Sequence, residues 1–417
     1  MLPVGLTDAL AGVRVLALEQ AVALPIATRH LAQLGADVIR VQSYERARAT
    51  DQSGIELTRS KRQVGLNLAA EGGPEAFLRL ASVCDVVAHN FTPRVVRKYG
   101  IDFEGVRAVN PDVIYVSLTG FGTTGPWGER PLFGPGAEAV GGHNLLIGDP
   151  ESWPGRPGTG VYADDTCGMY TLMAILAALD ERARTGEGQH IDISLYETMV
   201  AHLGPVLAEH SAGAEARRVG NDDARYALHG VFNARGTDRH VAIAATAEQL
   251  ETVASVLGCP SAEEDCVATA VGDLDAFEAV DRLQAAGIAA SVVADVRDLS
   301  TDEQLWARGF FEMREAPSGG MHPHQSAAWG GLAGARVEDP RFVGADNDDV
   351  LRSVAGFTAE AIARLEAAGA IGTARGTLGS RGVGDAATRI ARGELSRVDE
   401  RLPDWASFAP PATPAPH

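Results

Sequence analysis

Two adjacent carboxylates, Asp164 and Asp165, stand directly before an apolar stretch that runs from Met169 to Leu179. The stretch predicts a buried helix, and Asp165 or Thr166 is placed to cap it. Unpaired N–H groups in the first turn of a helix favour an anion beside them. A carboxylate held ionised at such a spot has two uses. It caps the helix, or it attacks an electrophilic carbonyl as a nucleophile. Spacing alone leaves both open.

The elements that must position these carboxylates read as a parallel α/β sheet. Val13–Leu18 is a short apolar strand, Pro25–Leu34 a helix with one apolar face, and Asp37–Val41 a second strand. That βαβ unit implies parallel pairing with helices on the sheet faces. A helix over Gly73–Ser82 and strands at Asp85–Ala88 and Val113–Leu118 continue the pattern. The Gly-rich loop Thr119–Gly128 (TGFGTTGPWG) follows the last of these. Ligands of open α/β sheets bind at such carboxyl-end loops. Past the long helix, Thr185–Gln189 is a Gly-containing turn. His190–Leu195 is a strand with Ile191, Ile193 and Leu195 on one face, and helix resumes from Glu197. Strands at Gly230–Asn233 and His240–Ala244, with helices at Glu248–Leu257 and Leu274–Ala286, outline a second, smaller domain. Residues 315–335 are rich in Gly, His and Pro and read as irregular. Ala359–Ala368 is a further helix, and the Pro/Ala-rich tail from about Pro403 reads as disordered.

Composition removes several function classes. A net charge of −19 disfavours nucleic acid, and an anionic ligand needs a local basic pocket against that field. Cys84, Cys167, Cys259 and Cys266 have no metal-ligand spacing, and they read as reduced thiols of a cytoplasmic protein. No secretory leader and no bilayer-spanning run is evident. GxGxxG is absent after the first strand, and GxxxxGK[ST], GxSxG and HExxH are absent throughout. These absences argue against dinucleotide, P-loop, serine-hydrolase and zinc-protease chemistry. No metal site is expected. Only two lysines occur, Lys61 and Lys98, amid a strong arginine bias.

Several segments in order then carry a family pattern: LAGVRVLALEQ, LAQLGADVIRVQ, RSKRQVGLNL, CDVVAHNFTPRVVRKYGID, NPDVIYVSLTGFGTTGPW and TGEGQHIDISLYE. The chain resembles the class III CoA-transferases of the formyl-CoA and carnitine type (CaiB/BaiF), a group that includes 2-methylacyl-CoA racemases. The resemblance covers about residues 10–370. It implies a Rossmann-like large domain (1–210 with 335–400) and a small α/β domain (225–315). Linkers fall at 211–224 and 316–334, and a disordered tail at 401–417. It further implies an open-ring monomer that forms an interlaced homodimer, each core completed by its partner.

The family's nucleophile lies four residues before a glycine, which places it at Asp164 by way of Gly168. An aspartate at its ordinary pKa of about 4 is ionised at neutral pH and needs no base. Coenzyme A contacts carry over to Gln20, Val22, Ala23, Ser43, Leu66, Asn90, Phe91, Arg97 and Lys98. Lys61, Arg59 and Arg62 lie in neighbouring segments. The implied reaction moves CoA from an acyl-CoA donor to a carboxylic acid through mixed anhydrides and an aspartyl-CoA thioester. CoA is then a substrate, and no tightly bound cofactor is expected. Oxyanion donors are expected from the loop Thr119–Gly128 and from Thr166–Gly168.

The sequence also departs from the family. The catalytic Gln of formyl-transfer members falls at Val22, and an acidic position falls at Gly134. The histidine and second acid of the racemases fall at Phe133 and Ala247, with His143 ten residues after Phe133. Epimerisation at the α-carbon therefore lacks both proton carriers. A racemase or isomerase, and a non-catalytic CoA-binding partner subunit, remain the alternative readings.

Overall fold

Val15, Leu16, Ala17 and Leu18 are apolar without alternation, as befits a strand covered on both faces. They lie in β1 (Arg14–Leu18), inside a six-stranded sheet of the computed structural model. The described residues are 8–45, 47, 56–157, 161–315, 321–326, 328, 338–374, 390–391 and 407–409. From β1 the chain enters α1 (Ala23–Gln33) and returns through β2 (Asp37–Gln42). It continues through β3 (Arg62–Gly65), α2 (Gly73–Ala81), β4 (Val86–His89), α3 (Pro93–Lys98), α4 (Phe103–Val109) and β5 (Ile114–Thr119). Then come α5 (Gly134–Val140), α6 (Tyr162–Thr185), β6 (Gln189–Ser194) and α7 (Leu195–Ala201).

All pairings in this sheet are parallel, in the order β3-β2-β1-β4-β5-β6. That order reverses between β1 and β4, which creates a crevice at the carboxyl ends of those two strands. One face packs on α1 and α6 through Leu24, Leu31, Cys167, Leu172 and Ile175. The other packs on α2 and α4 through Phe77, Leu80 and Val106. Ile362 and Leu365 of α11 (Ala359–Ala367) join this second layer, so the end of the chain returns to the large sheet.

The chain divides into two compact units, 1–143 with 157–207 and 303–417, and 144–156 with 208–302. The second holds an antiparallel sheet of β7 (Leu228–Asn233), β8 (His240–Ala245) and β9 (Ala289–Val292). Helices α8 (Leu250–Leu257), α9 (Glu264–Gly272) and α10 (Ala276–Ala285) supply Val253, Val267, Val271 and Leu283 to its core.

Three boundaries differ from the sequence reading. Residues 144–156 group with the smaller unit and 303–315 with the larger. Residues 321–325, read as irregular linker, form β11 (Met321–Gln325) against β10 (Phe311–Glu315). Pro323 and two histidines mask the strand, and Pro is tolerated because a two-stranded ribbon has only edges. In the tail, Phe408 packs on Trp306 at 5.4 Å between ring centroids; most of 401–417 lies outside the described residues. Among the described residues no helix is long and apolar enough to cross a membrane, and no cluster of metal ligands is present.

Candidate active site

Helix α6 starts at Tyr162, ahead of the start that a cap at Asp165 or Thr166 implies. Its N-cap is Val161, with no side-chain cap, and Asp165 N–H bonds to Val161 O at 2.9 Å. Asp164 and Asp165 are therefore in the first turn rather than ahead of it. The amides of Thr166–Gly168 are spent inside the helix, so they are not oxyanion donors.

Other helices supply the donors. The Asp164 carboxylate accepts N–H bonds from Ala23 and Gly134, the first residues of α1 and α5. Helix starts carry unpaired N–H groups, and here two of them turn on one carboxylate. Asp164 is only 6% exposed. Burial, then Asp165, then Glu138 push its pKa up to about 6, against the two amide bonds. The ordinary value expected from sequence is thus replaced by a raised one, because sequence does not show the burial. At pH 7 roughly nine-tenths of the carboxylate is ionised.

Two glycines make this approach possible. A Cβ on Gly134 would lie 1.9 Å from Asp164 Oδ2. A Cβ on Gly168 would meet Ala23 O at 2.7 Å and Ile26 Cγ2 at 2.9 Å. Gly168 thus lets α6 settle against the start of α1, which brings the Ala23 amide to Asp164.

The turn between β1 and α1 is held on both sides. Ala21 has φ of 54°, a left-handed conformation uncommon for a residue with a Cβ and typical of functional turns. Next to it, Gln20 N–H donates to Asn90 Oδ1 at 3.0 Å, and Asn90 Nδ2 donates to Gln20 O at 2.7 Å. This reciprocal clamp spans the crevice between β1 and β4. Beneath it lies Glu19, buried beside Lys61 (2.7 Å) and Arg40 (3.1 Å), with Thr28 Oγ1 donating at 2.5 Å. Lys61 also donates to Pro25 O at 3.0 Å. Burial pulls the Lys61 pKa down to about 8 while Glu19 holds it up. Lys61 is thus an internal tie. Arg62 likewise pairs with Asp37 and Asp349, and Arg59 with Glu56. Lys61→Met should destabilise the protein by about 3 kcal/mol in urea titration. That is the low end for breaking a buried pair, because Arg40 still neutralises Glu19.

The remaining sequence candidates follow the sheet's carboxyl edge. Val22 is the N-cap of α1, Ser43 follows β2, Leu66 follows β3, and Asn90 and Phe91 follow β4. Ser43, Asn90 and Phe91 are half-buried. Leu66 points its side chain into the core, at 2% exposure, so it shapes the strand end rather than facing a ligand. Arg97 is engaged with Glu129, which also accepts the Arg94 amide at 3.1 Å. Lys98 is exposed, with its ammonium over the Tyr99 ring. In the Gly-rich loop, the Thr123 amide and hydroxyl bind Asp192 of β6, at 2.9 and 2.5 Å to Oδ2. That amide is committed to anchoring the loop.

Sequence reasoning missed Glu138. It is 1% exposed on α5 and lies 3.5 Å from the Ala163 amide. Its signal was a lone carboxylate amid small residues, in GPGAEAVGG. Asp192 and Glu129 were missed as well, because an outward acid on a strand or loop looks like any solvated side chain.

Comparison with known proteins bears on the same segments. Residues 10–341 match the family described as CoA-transferase family III. The chain is 30% identical over 331 residues to the succinyl-CoA–L-malate CoA-transferase beta subunit of Chloroflexus aurantiacus, covering 72% of this chain and 82% of that one. It is 32% identical to the succinyl-CoA:glutarate CoA-transferase of Mus musculus, over 62% of this chain and 61% of that one, so it spans about three-fifths of that relative. A solved CAIB/BAIF family protein from Brucella suis superposes with a TM-score of 0.73 at 27% identity, over 83% of this chain and 99% of that one. The match takes in both halves of the β1–β4 crevice and every residue that grips Asp164, and the chain belongs to CoA-transferase family III.

Proposed function

We propose that this protein moves coenzyme A from an acyl-CoA donor to a carboxylic acid, with Asp164 as the nucleophile. The observation that carries this reading is a buried carboxylate gripped by amides of two other helices, with a pKa of about 6. Such a group is ionised at neutral pH without a general base. Its partial desolvation raises its basicity and with it its nucleophilicity.

Asp164 attacks the thioester carbonyl, giving a mixed anhydride and CoA thiolate. The thiolate attacks the Asp164 carbonyl, which forms an aspartyl-CoA thioester and releases the donor acid. The acceptor carboxylate then attacks that thioester, giving a second mixed anhydride and thiolate. Attack of the thiolate on the acceptor acyl group frees Asp164. Thioester energy is conserved, so no ATP enters. CoA lies along the carboxyl edge, at Gln20, Val22, Ala23, Ser43, Asn90 and Phe91, with Leu66 shaping the strand end beneath. Lys98 is the exposed cation for a phosphate, and Arg97 must exchange Glu129 to serve as another. Relatives named for transfer from succinyl-CoA to malate, glutarate and mesaconate support succinyl-CoA as donor and a dicarboxylic acid as acceptor. The working assembly is an interlaced homodimer, and the domain scheme follows the two compact units.

Incubation with succinyl-CoA, a hydroxylamine or borohydride quench and mass spectrometry of the Asp164 peptide test the mechanism. A trapped adduct that depends on acyl-CoA supports it. No adduct from a protein that binds CoA overturns it. The pH dependence gives a second check. kcat/KM should fall tenfold per unit below about pH 6 and level off above it. A like charge disfavours the ionised form, so Glu138→Gln should move that midpoint to lower pH. An unmoved midpoint would show that Glu138 does not act on Asp164.

A second reading has one observation behind it. The Chloroflexus relative is named as a beta subunit, and this chain would then need a different subunit for activity. Turnover by the purified chain alone excludes that reading.

A further inference from the structure

Within the large sheet, three polar side chains on neighbouring strands touch in sequence. His89 ends β4, Ser117 lies in β5, and His190 lies in β6. His89 Nε2 is 2.9 Å from Ser117 Oγ, and Ser117 Oγ is 3.0 Å from His190 Nε2. At the other end, His89 Nδ1 accepts the Phe91 N–H at 3.3 Å.

That last contact sets the direction of the chain. An amide nitrogen only donates, so His89 Nδ1 is unprotonated and Nε2 carries the ring proton. His89 Nε2–H then donates to Ser117, and the Ser117 hydroxyl donates its one proton to His190 Nε2. Both His89 ring nitrogens and the Ser117 hydroxyl are satisfied with both rings neutral. His89 is 2% exposed, and burial first, then His190, pulls its pKa down to about 3. Burial lowers His190 as well. His190 stacks on Phe103 at 4.9 Å between ring centroids, which fixes the outer end.

A polar relay that starts from a strand otherwise made of Val86, Val87 and Ala88 is a poor way to fill space, since unpaired buried polar groups are strongly unfavourable. The backbone group that it serves is the Phe91 amide. Phe91 follows Asn90, whose side chain clamps Gln20 across the crevice. Gln20 is three residues from Ala23, whose amide holds Asp164. We propose that His89, supported by Ser117 and His190, is a positioning residue that sets the Asn90–Phe91 loop for coenzyme A binding and steadies the Gln20–Ala23 turn through it. The proposal rests on CoA lying at the carboxyl edge, as put forward above.

Two substitutions separate the ends of the His89 ring. The variant His89→Asn keeps an acceptor near the Nδ1 position for the Phe91 amide but gives up Ser117. The variant His89→Gln keeps a donor near the Nε2 position for Ser117 but gives up the Phe91 amide. Three measurements apply to each purified protein: hydrogen exchange at the Phe91 amide without ligand, CoA binding by calorimetry, and KM against kcat for succinyl-CoA. In His89→Gln, Phe91 exchange should quicken at least tenfold and KM and the CoA dissociation constant should rise about tenfold, with kcat within about threefold of the parent. In His89→Asn, exchange and KM should stay within about threefold of the parent. If Phe91 exchange is unchanged in His89→Gln, the proposal is overturned whatever CoA does. If both variants lose thermal stability alike while KM stays at the parent value, His89 is structural only and the proposal is overturned. If the unaltered protein binds no CoA but His89→Gln still frees the Phe91 amide, the functional reading fails and the local positioning by His89 stands.

Discussion

Asp164→Asn should abolish CoA transfer, by at least about 10⁴-fold in kcat, while making the protein harder to unfold at neutral pH. The two effects share one cause. In the folded protein Asp164 holds its proton up to about pH 6, whereas an unfolded aspartate releases it near 4. Between those values the folded state binds more protons, so this group's contribution makes stability fall as pH rises through that window. Above pH 6 the native state carries a buried charge beside Asp165 and near Glu138. An amide at position 164 removes that charge and still accepts an N–H bond. The gain at pH 7 is up to about 3 kcal/mol, shrinking towards zero near pH 4. Thermal unfolding across pH 4–8 and single-turnover assays of the same preparation check both halves. Deamidation can restore the acid in Asp164→Asn, so Asp164→Ala serves as the control for activity. Activity in the alanine variant would remove Asp164 from the mechanism. A stability difference independent of pH would remove the account of its pKa.

Gly134→Ala should cost about 100-fold in kcat without unfolding the protein. The new methyl would sit 1.9 Å from Asp164 Oδ2, inside any tolerable contact, so the carboxylate must swing away from the Gly134 amide. A displacement of about 1 Å in a reacting group is worth roughly two orders of magnitude. Gly134 does not have a left-handed φ, so the substitution bears chiefly on the contact with Asp164 and the effect should appear in turnover rather than in expression. The measurement is kcat with succinyl-CoA beside the melting temperature. Turnover at the parent level would show that Asp164 tolerates another rotamer and that the Gly134 amide is dispensable.

Much of the large domain was legible because its strands are short, apolar and separated by helical periods. The β1–α1–β2 unit and the strands over 113–118 and 190–195 fall close to where alternation and apolar runs place them. The parts that were not legible share a physical cause: their roles depend on contacts distant in sequence. Lys61 lies in a segment neighbouring the coenzyme A contacts, yet Glu19, 42 residues earlier, makes it an internal tie. Thr119–Gly128 looked like a donor loop, yet Asp192 claims the Thr123 amide. Asp164 was singled out through Gly168, but its donors at Ala23 and Gly134 lie on other helices, and no local pattern announces them. The β10–β11 ribbon escaped notice because Pro323 and the histidines hide a two-residue period.

The grip on Asp164 also bears on how small a catalyst could be cut from this protein. One of its amides comes from residue 23, another from residue 134, and the aspartate itself from residue 164. A fragment that kept the aspartate, its helix and the Gly-rich loop would still lack the Ala23 amide and the strand that delivers it. Transplanting the proposed nucleophile onto another scaffold would fail for the same reason, unless two foreign helix starts were brought along with it. What carries this grip is therefore the fold from β1 to α6 rather than a motif.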